Sequence, residues 1–477
     1  MKKILFVSSE AHPLIKTGGL ADVSGSLPKA LNELSQSIHL LLPNYQGLNL
    51  TDPVHHRCTI RVNNCDIHIL ETRLPNSDVV VWLVDYPAFF DFAGNPYNDS
   101  QGNAWHNNAE RFSLFCKVAT EIAMDRAYLH WKPDIVHCND WQSALVPALL
   151  SLEEDRPSTV FTIHNMAYQG LFPAEKYQEL NLPKQLWHPD GLEFYGMLSF
   201  IKGGVVYADH ITTVSPTYAL EIQTSEFGYG LEGLLHHKQY ILSGIINGID
   251  TDIWNPESDE HIAQHYNKEN LENKTINKTA LQQQLSLPVD ENIPVFGIVS
   301  RLAEQKGIDL ILDSLPDLLS MPLQLVILGS GHHSFEHRLH NLIALYPNKI
   351  SVTIGYDEAL AHLIEAGVDV FLMPSRFEPC GLNQLYSQRY GTIPIVRKTG
   401  GLADTIIDAL PQSLEDNTAT GIAFHDANAD SLLEAIKRAL VLFHQKDNWK
   451  ALQRNCMNKD FSWKNSAQQY LSLYNEL

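Results

Sequence analysis

Short runs of apolar, β-favouring residues alternate along the whole chain with longer stretches whose apolar positions recur at helical spacing. That alternation is the pattern of parallel strands joined by crossover helices. In the first half KKILFVSS, SIHLLLP, VVVWLVD, PDIVHCND, STVFTIHN and HITTVS read as strands, with helices such as AERFSLFCKVATEIAMDRAYL between them. In the second half IPVFGIVSR, LQLVILGSG, ISVTIGY, VDVFLMPS, TIPIVRK and TGIAFHD repeat the scheme. The runs are nearly continuous in Val, Ile and Leu, so both faces of each strand are expected to be buried under helices. The expected fold class is α/β, with two Rossmann-like, doubly wound parallel sheets facing a cleft between domains.

The change from one sheet to the next is expected near SGIINGIDTDIWNPE, residues 243–257, where a turn-forming Asn-Gly precedes the polar connector NKENLENKTINK. The domains are accordingly 1–245 and 246–457, followed by an amphipathic helix in 458–477 whose start is marked by Ser462. A length of 477 residues suits two such domains, since single cores stop growing at about 250–300 residues.

Charge and cysteine content narrow the chemistry. Thirty-four Lys and Arg against 55 Asp and Glu leave a net charge of −21. That excludes sequence-independent nucleic-acid binding, which needs basic surface. It permits a phosphate group held by a few local cations and N–H groups, and it does not repel a neutral polysaccharide. The six cysteines form no C-x-x-C, so neither a zinc ribbon nor a thioredoxin-like site is implied. The apolar run after Met1-Lys2-Lys3 is too short for a signal peptide and reads as a buried strand. No stretch approaches the ~18 apolar residues of a membrane span, and a cytoplasmic location is expected.

One heptapeptide, KTGGLAD, occurs twice, at Lys16–Asp22 and Lys398–Asp404, each time after an expected strand and before a helix. Ligands of doubly wound sheets bind beyond the carboxyl ends of the strands, where helix-start N–H groups attract anions. Two copies at matching positions of two sheets would suit one phosphate-bearing ligand. SRLAEQKG adds Arg301, suited to bidentate binding, and Lys306, a point charge. In MPSRFEPCGLNQLY the carboxylate of Glu378 precedes Pro-Cys380-Gly, and the N–H groups of Gly381, Leu382 and Asn383 open the next helix. His164 and Asn165 end one first-half strand, and His137, Asp140 and Trp141 end another. His137 reads as structural, and Cys138 and Cys380 as packing residues. Asp250-Thr-Asp252 has an Asp-x-Asp form, but in NGIDTD it reads as turn chemistry. Neither a metal nor a cofactor is called for.

Taken together, KTGGLADVSGSLPKAL, FTIHNMAYQG, YADHITTVSPTYA, VSRLAEQKG, SRFEPCGLNQLY and KTGGLADT resemble the bacterial glycogen synthases and plant starch synthases, retaining glycosyltransferases of the GT-B fold. The resemblance covers essentially the whole chain and implies transfer of glucose from ADP-glucose to the non-reducing end of an α-1,4-glucan. It implies that Lys16 contacts the donor, with Gly18 and Gly19 near its phosphates, and that Arg301 and Lys306 bind the diphosphate. Glu378 would hold hydroxyls of the transferred glucose, helped by the backbone of Thr399, Gly400 and Gly401. His164 would lie under the reacting sugar, with Asp22, Asp140 and Asn165 lining the cleft and Tyr356 stacking on adenine. The last helix would cross back onto the N-terminal domain, and the first KTGGLAD would reach across the cleft, so that catalysis requires closure.

Two positions depart from the family pattern: Gln142 replaces a histidine and Asn383 a common threonine. Eight positions after Glu378, where many retaining relatives have a second Glu, stands Tyr386. This argues against a two-carboxylate double displacement and for same-face transfer through a short-lived ion pair. A nicotinamide oxidoreductase would need G-x-G-x-x-G after the first strand, which MKKILFVSSEAHP lacks. A non-catalytic glucan binder would not need Lys16, Arg301, Lys306 and Glu378. A sister transferase using UDP-glucose or making sucrose-phosphate-like products remains a competitor, and no pyridoxal lysine marks a phosphorylase.

Overall fold

The computed structural model describes residues 1–99 and 101–477. The chain forms two compact units, Met1–Gly248 with Trp463–Leu477, and Ile249–Ser462. The first unit therefore ends at Gly248 rather than 245, and the chain returns to it at Trp463 rather than 458.

The first unit contains β1 (Lys3–Val7), β2 (Ser37–Pro43), β3 (His55–Val62), β4 (Cys65–Arg73), β5 (Val80–Asp85) and β6 (Ile135–Asn139). It continues with β7 (Ser158–Ile163), β8 (Leu171–Pro173), β9 (Glu193–Phe194), β10 (Met197–Ser199), β11 (His210–Thr213) and β12 (Leu242–Gly244). Among the described residues its main sheet runs β12-β11-β7-β6-β1-β2-β5-β4-β3, and β8, β10 and β9 make a small separate sheet. The central strands are parallel and buried on both faces, as their continuous apolar runs require: Ile4, Leu5, Phe6 and Val7 are all inaccessible. The β3–β4 hairpin departs from the expected scheme. Its strands HHRCTIRV and CDIHILETR alternate polar and apolar positions and pair antiparallel around Asn63-Asn64, both at positive φ. The alternation is that of a sheet edge with one face in water, which a search for continuous apolar runs passes over.

Helix Trp463–Glu476 belongs to this unit and completes its core. Its buried face, Trp463, Ala467, Tyr470, Leu473 and Tyr474, joins the cluster of Ile4, Phe6, Val23, Leu27 and Ile38. The Tyr474 hydroxyl lies 2.7 Å from His137 Nδ1, whose Nε2 meets Thr162 Oγ1 at 2.6 Å. Burial holds the His137 imidazole down to about 3, so the ring is neutral and structural.

The second unit holds β13 (Val295–Val299), β14 (Gln324–Gly329), β15 (Ile350–Ile354), β16 (Val370–Met373), β17 (Ile393–Arg397) and β18 (Ile422–Phe424). They pair in parallel in the order β15-β14-β13-β16-β17-β18. By chain rank this is 3-2-1-4-5-6, the doubly wound order, and the parallel strands of the first unit follow the same rule. Among the described residues no helix is long and apolar enough to cross a membrane.

Tyr474→Ala should cost about 3–5 kcal/mol, the range for deleting a buried aromatic. Thermal unfolding and limited proteolysis of the full chain would read this as loss of the first unit's protection.

Candidate active-site loops

In a doubly wound sheet the order reverses between the first and fourth strands, and the loops after those two strands part to leave a crevice. The reversal lies between β1 and β6 in the first unit and between β13 and β16 in the second. All but two of the expected site positions lie on loops after β1, β6, β7, β13, β16 and β17 or at the helix starts that follow. The exceptions are Asp22, which is inside helix Gly19–Glu33, and Tyr356, which follows the edge strand β15, two strands away from β13.

In the second unit the loops after β13 and β16 are laced together. Lys306 Nζ donates to Glu378 Oε2 at 2.5 Å, and Ser375 Oγ donates to the same oxygen at 3.0 Å. The Arg376 N–H donates to Gln305 O at 2.8 Å, and Asn383 Nδ2 to Val299 O at 2.6 Å. Glu378 is buried at 6 % exposure, and Lys306 is the basic partner that its carboxyl group meets there. Arg301 is exposed, its guanidinium reaching Gln305 Oε1 at 3.2 Å. Gly381, with φ +73, Leu382 and Asn383 open helix Asn383–Arg389, and among the described residues no backbone carbonyl takes their N–H groups. Cys380 is buried and its carbonyl accepts from Gln384 Nε2. Tyr356 is exposed, with its hydroxyl donating to Glu358 Oε2 at 3.3 Å. Asp250 Oδ1 accepts from the N–H groups of Asp252 and Ile253, closing a turn.

In the first unit Asp140 opens the loop after β6 at φ +55 and its Oδ1 accepts from the His164 N–H at 2.8 Å and the Asn165 N–H at 3.4 Å. His164 Nε2 lies 2.9 Å from Asn139 Oδ1, which can only accept, so that nitrogen bears the proton. Burial holds this imidazole down to about 3, so it is neutral and cannot shuttle protons near neutral pH. Burial pushes the Asp140 carboxyl up to about 7.

The two KTGGLAD loops do not occupy matching positions, contrary to expectation. The first follows β1, the first-ranked strand, and the second follows β17, the fifth. In the same frame the counterpart of the first copy is SRLAEQKG, and the counterpart of the second is the His164 loop. Their glycines also serve different ends. A Cβ at Gly18 or Gly19 would meet nothing within 4 Å, whereas at Gly400, φ +44, it would strike Glu378 O, and at Gly401 Cys380 O. Nor are the N–H groups all free for a ligand. Those of Thr17 and Gly18 donate to Glu10 Oε2 at 2.5 and 3.2 Å. That of Gly401 is taken by the carbonyls of Glu378 and Pro379. Lys16 is paired with Asp22 at 2.7 Å, with both side chains partly open to solvent. Glu10 carries no signal in the sequence, because a lone carboxylate after a strand belongs to no motif.

The starch synthase catalytic domain model matches residues 3–237, and the glycosyl transferases group 1 model matches residues 278–454. Glycogen synthase 1 of Methylococcus capsulatus is 55 % identical over 474 residues, covering 99 % of this chain and 96 % of that one. The glycogen synthase of Cellvibrio japonicus is 53 % identical over 480 residues and all of both chains. The chain belongs to the glycogen and starch synthase family. The catalytic domain of starch synthase IV from Arabidopsis thaliana, solved with ADP and acarbose, superposes with a TM-score of 0.90 at 32 % identity, over 100 % of this chain and 99 % of that one. A sucrose-phosphate synthase from Thermosynechococcus elongatus shares the fold, with a TM-score of 0.60 at 17 % identity over 100 % of this chain and 99 % of that one. The fold is thus the GT-B α/β architecture of this family.

Two measurements follow from the geometry. Gly401→Ala should destabilise by about 1–3 kcal/mol through overpacking, while Gly19→Ala should be neutral or slightly stabilising; paired thermal melts check the contrast. Asp140 keeps its proton in the folded state up to about pH 7, against an ordinary 3.8. The raised carboxyl stabilises the fold at low pH, and this is lost as pH climbs from about 4 through 7, each tenfold gain in proton affinity being worth about 1.4 kcal/mol. Asp140→Asn keeps the acceptor oxygen and tolerates positive φ, so its stability relative to the parent should improve between pH 5 and pH 8, as read by urea unfolding.

Proposed function

We propose that this glucosyltransferase moves glucose from ADP-glucose to the non-reducing end of an α-1,4-glucan with retention of configuration, elongating glycogen in the cytoplasm. The observation that carries the reading is likeness to glycogen synthases at 55 and 53 % identity along the full chain. The loops supply suitable chemistry. As the sugar–phosphate bond breaks, negative charge gathers on the diphosphate, and Arg301, Lys306 and the N–H groups of Gly381, Leu382 and Asn383 would stabilise it. Glu378, fixed by Lys306 and Ser375, would hold hydroxyls of the transferred glucose, with Cys380, Thr399, Gly400 and Gly401 shaping that pocket. Tyr356, exposed after β15, would stack on the adenine.

In the first unit Lys16, Asp22, Gly18 and Gly19 would contact the donor, and His164 and Asn165, oriented by Asp140, would meet the sugar as neutral hydrogen-bonding groups. A covalent intermediate has little support. Tyr386, eight positions after Glu378, is 7 % exposed and stacks on Trp254 at 3.8 Å, so it belongs to the core. Front-face departure and attack through an ion pair need no enzyme nucleophile. No metal or cofactor is invoked.

Glycogen incubated with radiolabelled ADP-glucose, UDP-glucose or GDP-mannose, with and without EDTA, tests the reading. Incorporation from ADP-glucose that survives EDTA is expected; incorporation from GDP-mannose alone would overturn the assignment. Arg301→Ala, at an exposed side chain, should lower turnover by about 10²–10³-fold with the melting temperature little changed, as when one transition-state donor is lost.

A further inference from the structure

We propose that Glu10 is a positioning residue for the transfer: its buried carboxyl group stands where an anion would sit and fixes the backbone of the loop that presents Lys16 and Asp22. The role of that loop rests on the proposed transfer, but the anchoring itself is a property of the first unit alone.

The segment before the loop is firmly held. The Ile15 N–H donates to Ala11 O, the His12 N–H to Ala21 O and the Asn49 N–H to Leu14 O, all at 2.9 Å. Ser8 Oγ donates to Glu10 O at 2.8 Å and lies 2.8 Å from Ser24 Oγ, tying the Glu10 backbone to helix Gly19–Glu33. The loop itself has no comparable packing. Gly18 and Gly19 face open space, and Gly18, the residue preceding the helix, offers no side chain to cap it. A glycine pair in open space has wide conformational freedom, so its geometry must be imposed by hydrogen bonds. Glu10 supplies them. Oε2 accepts from the Thr17 and Gly18 N–H groups, and Oε1 accepts from Tyr97 Oη at 3.0 Å. Tyr97 Oη is in turn 2.7 Å from Ser9 Oγ. Glu10 is 3 % exposed. A buried carboxyl with three donors has few other places to go, and it converts two N–H groups that would attract phosphate into a fixed floor.

The consequence for the reaction is geometric. Lys16 adjoins the first anchored N–H, and Asp22 lies in the first turn of the helix that the loop starts. Loss of the anchor would let the Lys16–Asp22 pair wander by an ångström or more, a displacement that can cost about 10²-fold in rate. An amide should replace the acid well. Its carbonyl oxygen accepts both N–H bonds and its NH₂ meets the Tyr97 oxygen. Burial has already raised the Glu10 carboxyl to about 7, so the neutral form is close to its native state. Aspartate keeps the charge but lacks the reach.

The test is a series at one position, Glu10→Gln, Glu10→Asp and Glu10→Ala, in the full chain. Steady-state kinetics with ADP-glucose and glycogen are joined to hydrogen exchange of the peptide spanning residues 10–22. Glu10→Gln should stay within about threefold of the parent in kcat/KM for ADP-glucose. Glu10→Asp and Glu10→Ala should fall about 30- to 100-fold, with KM for glycogen unchanged and amide protection at Thr17 and Gly18 lost. Aspartate outperforming glutamine would overturn the proposal, because charge and not reach would then matter. So would a rise confined to KM for glycogen, which would place Glu10 against the acceptor. Should the alanine variant fail to fold, the order of glutamine and aspartate still decides. Should the parent itself transfer no glucose, the proposed function fails while the exchange measurement still judges the anchor.

Discussion

A doubly wound sheet reverses its strand order at a single place, and the chemistry of each unit depends on that reversal. The loops leaving the first and fourth strands must part there, so polar side chains gather without disturbing a core of Val, Ile and Leu. In the second unit the Lys306–Glu378 pair spans the reversal, and Asn383 and Arg376 stitch the same loops by backbone contacts. In the first unit Glu10 and Asp140 flank it, both acidic groups raised to about 7 by burial. The two solutions differ in kind. One satisfies a buried carboxylate with a cation; the other surrounds carboxyl groups with N–H donors and lets them hold protons.

The repeated KTGGLAD shows how far an identical sequence can diverge in use. Its first copy is an open loop pinned by Glu10, and its second is wedged against the backbone of Glu378, Pro379 and Cys380. Neighbouring residues, not the heptapeptide, decide whether its glycines stand in open space or pack against backbone.

The fold class was legible because parallel strands are apolar on both faces, which leaves an unbroken signal in runs such as KILFV and QLVILG. The β3–β4 hairpin escaped because its strands keep one wet face, and the domain edge at Gly248 falls in the Asn-Gly turn that marked the seam, three residues past the expected boundary at 245. Motif residues such as Arg301, Lys306 and Glu378 stood out through their spacing after strands. Glu10 did not, since its meaning comes from Thr17, Gly18 and Tyr97, the last far away in sequence. The strand ranks of the two KTGGLAD copies were likewise invisible, because rank is a property of sheet order, which local sequence does not encode. Tyr356 could be placed after a strand, but not on the edge strand.

The return of Trp463–Glu476 to the first unit makes the second unit an insertion within the first. A ribosome releases the chain from its N-terminus, so β1 and β6 emerge long before Tyr470 and Tyr474, which close over Phe6 and His137. The second unit, continuous in sequence, can finish folding first. The first must wait with part of its apolar core uncovered until the last helix is free of the exit tunnel. A chain cut off after Ser462 would therefore keep a whole second unit beside a first unit that lacks its covering helix, a natural substrate for chaperones.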